Sequence, residues 1–220
     1  MSVALHGVGV SGGIAIGRVH ILEQDQLDIP EYRISKEQVP AETERLSLAV
    51  TSAKQQLRAI RDHIPGETTA DIAGFIDAHL LMLDDSALLQ EPERLIRENH
   101  YNAEWALRVQ RDALVSVFDE MDDAYLRTRK DDVDHVVNRV LRILLKQTPL
   151  RHEEPGNKLE GYIILAHDLT PADTVLMQHS GVVAFATEYG GPTSHTAILA
   201  RSLGIPAIIG LNQARRYINE

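Results

Sequence analysis

The sequence predicts an α/β layer built from both chain ends, interrupted by an inserted all-α helical bundle. Three observations carry this reading of the architecture. Residues 1 to about 24 read as short β segments; residues from about 35 to 146 are rich in Ala, Leu, Glu, Arg and Gln with apolar residues at three- and four-residue spacing; and beyond Pro149 strand and helix signals alternate again. Since both ends carry strand signals, one shared sheet is the economical solution. The expected bounds are 1–24 and 155–220 for the α/β domain and 33–147 for the helical one.

At the start, Val3 to Val10 and Ile14 to Leu22 read as strands separated by the turn-forming Ser11-Gly12-Gly13. The helical texture then begins near Ser35. Leu46, Val50, Ala53, Leu57, Ile60 and Ile64 form one apolar stripe, which Pro65-Gly66 breaks. Further helices are expected over about 69–83, 86–99 and 103–121, and a fifth from the Asp122-Asp123 cap signal to about Leu145. Short connections between them suit an antiparallel bundle. After the polar stretch 149–156, Gly161 to Ala166, Val182 to Ala186 and Ala207 to Ile209 read as buried strands, and Thr170 to Gln178 and Ser194 to Leu203 as helices. No strand signal follows Ile209, which leaves an open sheet edge as an expectation.

Composition narrows the function classes. A formal charge of -10 over 220 residues disfavours nucleic acid as a partner, because such binding relies on neutralising phosphates. A basic protein partner fits better. The absence of cysteine excludes disulfides, thiolate nucleophiles and cysteine metal sites. The ten histidines lack local metal-ligand spacing, so the sequence assigns no metal. No apolar run approaches the roughly 20 residues needed to span a bilayer, and MSVALHGVGVSGG lacks a basic n-region, so no membrane insertion and a cytoplasmic location are expected.

The chemistry concentrates in Gly190-Gly191-Pro192-Thr193-Ser194-His195-Thr196, followed by Arg201. Gly190 and Gly191 permit close backbone approach after a strand, Thr193 or Ser194 can cap the next helix, and His195 falls in its first turn. A helix N-terminus offers N–H groups and partial positive charge to an anion. This suits a histidine that attacks phosphorus as a neutral ring and then holds a phosphoryl group. Thr193, Ser194 and Thr196 can add hydroxyl donors and Arg201 a fixed charge. Arg201 can equally pack or pair locally, and a lone histidine at a helix start can be structural. The glycines from Gly7 to Gly17 carry no lysine and read as a turn between strands rather than a nucleotide loop.

On these residues the sequence resembles Enzyme I of the bacterial phosphoenolpyruvate-dependent phosphotransferase system. GGPTSHTAILARSLGIPAIIG at 190–210 looks like the phosphohistidine signature of phosphoenolpyruvate-utilising enzymes. SGGIAIG at 11–17, DAHLLMLDDSAL at 77–88, DDAYLRTRKDDV at 122–133 and LAHDLTPADT at 165–174 extend the match to the amino-terminal part of that enzyme. The resemblance implies that His195 is the phosphoryl acceptor through Nε2, and that the hydroxyl of Thr170 contacts it. Thr170 is independently a good N-cap before Pro171. Pro192 departs from the family, where many members carry Arg.

The resemblance also implies a partner, the small phosphocarrier protein HPr, docked on the helical domain. Its docking region matches Phe75 to Leu89, with Leu81, Met82, Leu83 and Leu88 as apolar candidates, and Asp77, Asp84 and Asp85 as acidic ones, beside Arg129. Residues 30–150 hold 22 acidic and 16 basic side chains, so most of the net acidity lies on the insertion. An acidic rim complements a basic carrier. For any single leucine, bundle core is the competing reading, and Arg129 can pair with Asp131 or Asp132 instead. His79 reads as a packed polar residue.

In the family, phosphoenolpyruvate and Mg²⁺ bind in a carboxy-terminal barrel, to which nothing in this chain is similar. No cofactor is therefore expected within these residues, which should exchange phosphoryl groups with phospho-HPr without using phosphoenolpyruvate. Dimerisation belongs to that other part, so these residues alone are expected to be monomeric and the full enzyme a homodimer. Two alternatives remain: the swivelling phosphohistidine domain of a pyruvate phosphate dikinase or phosphoenolpyruvate synthase, and a non-catalytic helical interaction module. Sugar uptake and nitrogen-linked regulation are both left open as the parent system.

Overall fold

A computed structural model describes residues 3–22, 27–62, 64, 70–123, 129–146 and 159–218. The chain divides into two units. One comprises Met1–Asp25, Ile60–Ile76 and Pro149–Glu220, the other Gln26–Ala59 and Asp77–Thr148. The segment 60–76, read from sequence as part of the helical insertion, thus groups with the sheet-containing unit.

The first unit is built on a five-stranded sheet, β1 (Val8–Ser11), β2 (Arg18–Leu22), β3 (Tyr162–Ala166), β4 (Ala184–Thr187) and β5 (Ala207–Ile209), in the order β1-β5-β4-β3-β2. The three central strands come from the second half of the chain, and both edges come from the first 22 residues. β2, β3, β4 and β5 run parallel, whereas β1 pairs antiparallel with β5. The edge expected to lie open after Ile209 is therefore occupied: Val8 pairs with Ile209 and Gly9 with Ile208.

The amino-terminal strands are shorter than their apolar pattern suggests. Ile14 and Ile16, read as part of a strand, are 94% and 93% exposed in the connection that carries the chain from one sheet edge to the other. Alternating apolar residues here reflect no buried face. At the end of this connection Gly17 passes so close to the Gly161 carbonyl that a Cβ would lie 2.2 Å from its oxygen. Only glycine permits that approach.

One sheet face is covered by α6 (Pro171–His179) and α7 (His195–Leu203). Ile164, Phe185, Ala207 and Ile209 from the strands pack there with Met177, Ala197 and Ala200. On the other face Leu165 packs with Leu211 and Ala214, supported by Val19, Ile21 and Ile218. Burial on both faces explains why the central strands read as continuous apolar runs.

The second unit is helical. α1 (Val39–Asp62) and α2 (Ala70–Asp84) each extend across the division, while α3 (Ser86–Asn99), α4 (Ala103–Asp119) and α5 (Arg129–Leu144) lie within it. The α1 stripe is buried as its period requires, with Leu46 and Leu57 each 1% exposed. Val133, Val136, Val137, Val140, Leu141 and Leu144 supply the matching face of α5.

A partly buried ion pair, with Glu104 on the inside, joins α1 to α4. Arg45 donates from Nη1 and Nη2 to the two carboxylate oxygens of Glu104, both at 2.7 Å, and Glu42 accepts from the same guanidinium and from the backbone N–H of Ala103. Burial pushes the Glu104 carboxyl up, but bonds from Arg45 and Asn102 outweigh it and hold the group below its ordinary value. Removing one partner strands the other in the interior. Arg45→Met should therefore destabilise the protein by about 3 kcal/mol, read as a fall in the urea midpoint.

Candidate functional site

In a parallel sheet the crevice outside the carboxyl ends of the strands is the usual place for a ligand. Here two connections leave that edge, 167–170 after β3 and 188–194 after β4. The second carries the glycine pair and leads into α7. Gly190 adopts φ +113°, and a Cβ there would lie 3.1 Å from Ser194 Oγ, so the turn requires glycine.

Of the two cap candidates the structure selects Ser194. Its Oγ accepts the N–H of Ala197 at 3.3 Å, and its backbone N–H donates to the Gly191 carbonyl at 2.9 Å. His195 is the first residue of α7, half-buried, with Thr193 exposed beside the turn. The ring of Phe75, in the segment Ile60–Ile76 of the same unit, meets the His195 ring edge-on at 4.6 Å between centroids. Sequence reading named Phe75 only as the start of the docking region.

Arg201 reaches back along α7 and donates from Nη2 to the Pro192 carbonyl at 3.0 Å. A guanidinium therefore sits against the backbone of Pro192. Thr196 behaves differently from its neighbours. It is fully buried, and its hydroxyl approaches Asp168 Oδ1 at 3.3 Å and the Leu169 carbonyl at 3.4 Å. Directed into the interior, this hydroxyl ties α7 to the 167–170 connection rather than facing a phosphoryl group.

Thr170 is the N-cap of α6. Its Oγ1 accepts the N–H of Asp173 at 3.1 Å, and its own N–H donates to Asp173 Oδ2 at 3.2 Å, a reciprocal capping box. The hydroxyl proton remains to donate elsewhere. Asp168, which sequence reading passed over, accepts the Leu169 N–H and lies against Thr196, so it links both connections. Its position immediately after a strand was the available signal.

Tyr189 and Glu188 complete the edge. Tyr189 stacks on His167 at 5.9 Å, and Thr187 Oγ1 donates to the Tyr189 carbonyl at 2.7 Å. Glu188 accepts from Arg215 Nε at 2.8 Å and from the Arg215 N–H at 3.0 Å. These side chains brace the turn from below.

The docking candidates separate by burial. Leu81 is 70% exposed and Met82 half-buried, whereas Leu83 is fully buried and Leu88 is 6% exposed. Leu83 and Leu88 are thus core residues and not surface anchors, because they fall on the inward stripes of α2 and α3. Asp77, Asp84 and Asp85 are exposed, with the break between α2 and α3 at Asp85, inside the gap left between the helices expected over about 69–83 and 86–99. Asp84 pairs with Lys54 Nζ at 2.6 Å, whose hydrogen bond holds the carboxyl below its ordinary value. Arg129 takes the second of its two readings, pairing with Asp132 Oδ2 at 2.8 Å.

Residues 6–129 match the family described as PEP-utilising enzyme, N-terminal, and residues 158–220 the PEP-utilising enzyme mobile domain. The chain belongs to the PEP-utilising enzyme family. It is 42% identical to a phosphoenolpyruvate-protein phosphotransferase of Cupriavidus necator over the whole of this chain and 39% of that protein. A protein of the same name from Bacillus subtilis is 38% identical over 96% of this chain and 36% of its own length. The chain thus spans little more than a third of the relatives it matches. An Enzyme I solution structure superposes with a TM-score of 0.79 at 31% identity, covering 98% of this chain and 86% of that one. The amino-terminal domain of a nitrogen-type Enzyme I, at 22% identity and TM-score 0.62, shares the fold. Among the described residues no helix is long and apolar enough to cross a membrane.

The Glu188–Arg215 brace has a defined pH signature. Burial raises the Glu188 carboxyl, but the backbone and guanidinium bonds of Arg215 prevail and hold it below 4.5. A carboxyl lowered on folding contributes its stability in full above the unfolded value and loses it as pH falls through the folded one. Arg215→Met should accordingly cost about 1–2 kcal/mol at pH 7, and the difference in Tm from the parent should shrink as the pH falls through the lowered range of the folded carboxyl.

Proposed function

We propose that this chain is the phosphohistidine and carrier-docking part of a phosphoenolpyruvate-protein phosphotransferase, in which His195 receives a phosphoryl group and passes it to a histidine of HPr. The observation that carries the reading is His195 itself. It begins a capped helix on a glycine turn at the carboxyl edge of a parallel sheet, in a chain similar along its whole length to such enzymes.

The step needs little from the protein beyond placement. The neutral ring uses the Nε2 lone pair to attack phosphorus, the bond from phosphorus to the donor breaks, and the donor leaves with that electron pair. Thr170 is placed in this reading as the acceptor of the Nδ1–H, which keeps Nε2 deprotonated and available as nucleophile. Backbone N–H groups at the start of α7, the Ser194 and Thr193 hydroxyls and the Arg201 guanidinium then surround the phosphoryl oxygens. Gly190 and Gly191 keep that approach open. Transfer onward reverses the sequence, with an imidazole of the partner as nucleophile.

Phosphoenolpyruvate is the substrate implied for the full-length enzyme, together with Mg²⁺. The residues around His195 do not suit Mg²⁺, which requires several oxygen ligands. Asp168 is engaged with Thr196 and the Leu169 N–H, and Glu188 with Arg215. No step at His195 is assigned to a metal. A helical domain over 33–147 serves as the docking element, and Leu81 and Met82, rimmed by Asp77, Asp84 and Asp85, form the surface offered to a basic carrier. The phosphotransferase names of the relatives favour a protein acceptor over the dikinase reading. A cytoplasmic location, a monomeric state for these residues and a homodimeric full enzyme accord with this role.

Incubation with phospho-HPr should place one acid-labile, base-stable phosphate on His195. His195→Ala should abolish it, and label that persists in this variant would refute the assignment. Arg201→Met should slow the transfer by about 10-fold, the scale of one lost hydrogen bond to a charged group.

For docking, Leu81→Glu should weaken HPr binding by about 10-fold at any salt concentration, since it removes apolar contact. Asp85→Lys should weaken binding mainly at low salt, as expected of a rim charge. Unchanged isothermal titration curves for both variants would place the docking surface elsewhere.

A further inference from the structure

We infer that His79, Asp132 and His135 form a binding site for a transition-metal ion of the Zn²⁺ class within the helical unit. The site is independent of the phosphotransfer reading. Its ligands lie in the unit that does not contain His195.

The three residues do not meet in sequence. His79 lies on α2, and Asp132 and His135 lie one turn apart on α5, where a three-residue spacing puts two side chains on one face. The fold brings them together so that one ligand atom from each lies within 4.8 Å of the others. His79 Nε2 stands 3.2 Å from Asp132 Oδ1, and the two imidazole rings are 6.1 Å apart between centroids. Ligands around a tetrahedral Zn²⁺, each about 2.0–2.1 Å from the metal, are separated by about 3.3 Å. The His79–Asp132 edge already has that length.

Donor chemistry selects the class of ion. Two imidazoles and one carboxylate suit Zn²⁺, Co²⁺ or Ni²⁺, whereas Mg²⁺ and Ca²⁺ require more oxygen ligands. Arg129 occupies Asp132 Oδ2, so the carboxylate is oriented from outside and binds the ion through Oδ1 alone. The guanidinium charge opposes the cation and keeps affinity below that of a closed four-ligand zinc site. His79 and Asp132 are buried while His135 is half-buried, leaving the fourth position toward His135 for water. On binding, the metal takes the His79 Nε2 lone pair, and a proton held at Nε2 moves to Nδ1 of the same ring or to solvent.

The test is a titration of the chelator-treated protein with ZnCl₂, followed through the imidazole resonances. One equivalent should shift His79 and His135 before any of the other eight histidines, and Co²⁺ in place of Zn²⁺ should give the visible absorption of a tetrahedral ion. His135→Asn should lower Zn²⁺ affinity by at least ~10-fold with an unchanged far-ultraviolet spectrum. Earlier movement of other histidines, or affinity retained in a folded His135→Asn protein, would overturn the proposal. If that variant does not fold, the order of the resonance shifts in the parent protein decides alone.

Discussion

The hydroxyl of Ser194 accepts the N–H of Ala197, and this bond sets where α7 begins and therefore where His195 stands. An N-cap of this kind is worth about 1 kcal/mol. Its structural effect is larger than its energy, because a one-residue slip would turn His195 by roughly 100° about the helix axis. The positive φ of Gly190 and the Arg201 bond to Pro192 hold the approach to the cap, and buried Thr196 holds the turn beyond it. Placement of one nucleophilic ring thus rests on a chain of short-range polar contacts around a helix start.

The helical unit uses the opposite device. Two polar contacts there, Arg45 with Glu104 and His79 with Asp132, join residues 59 and 53 positions apart. Buried ionic groups of this sort add little net stability over apolar packing, yet removing one partner is costly. They act by penalising any arrangement of α1, α2, α4 and α5 in which the partners fail to meet. Asp132 meets His79 with one oxygen and Arg129 with the other, so Arg129 is tied to the interior.

Much of the fold was legible in sequence because its signals are local. Periodicity at three and four residues located the helices, the Asp84-Asp85-Ser86 break separated α2 from α3, and continuous apolar runs marked β3, β4 and β5. The failures share a cause. Ile14 and Ile16 alternate as a strand would but lie in an exposed connection, and Leu83 and Leu88 read like Leu81 although they are buried. Hydrophobicity identifies a residue that can be covered, not the one that is. Thr196 was legible as a hydroxyl beside His195, while its inward direction depends on Asp168, 28 residues away.

Taken alone, the sequence determined the alternation of sheet, helices and sheet, the glycine turn, the capped helix and the place of His195 in its first turn. Each follows from residues within a few positions of one another, where backbone sterics and capping chemistry act directly. Tertiary structure decided the strand order with both edges drawn from the first 22 residues, the pairing of Arg45 with Glu104, the surface left to Leu81, and the meeting of His79 with Asp132 and His135. Those outcomes depend on which segments the chain brings into contact across tens of residues, and a one-dimensional pattern carries no term for that.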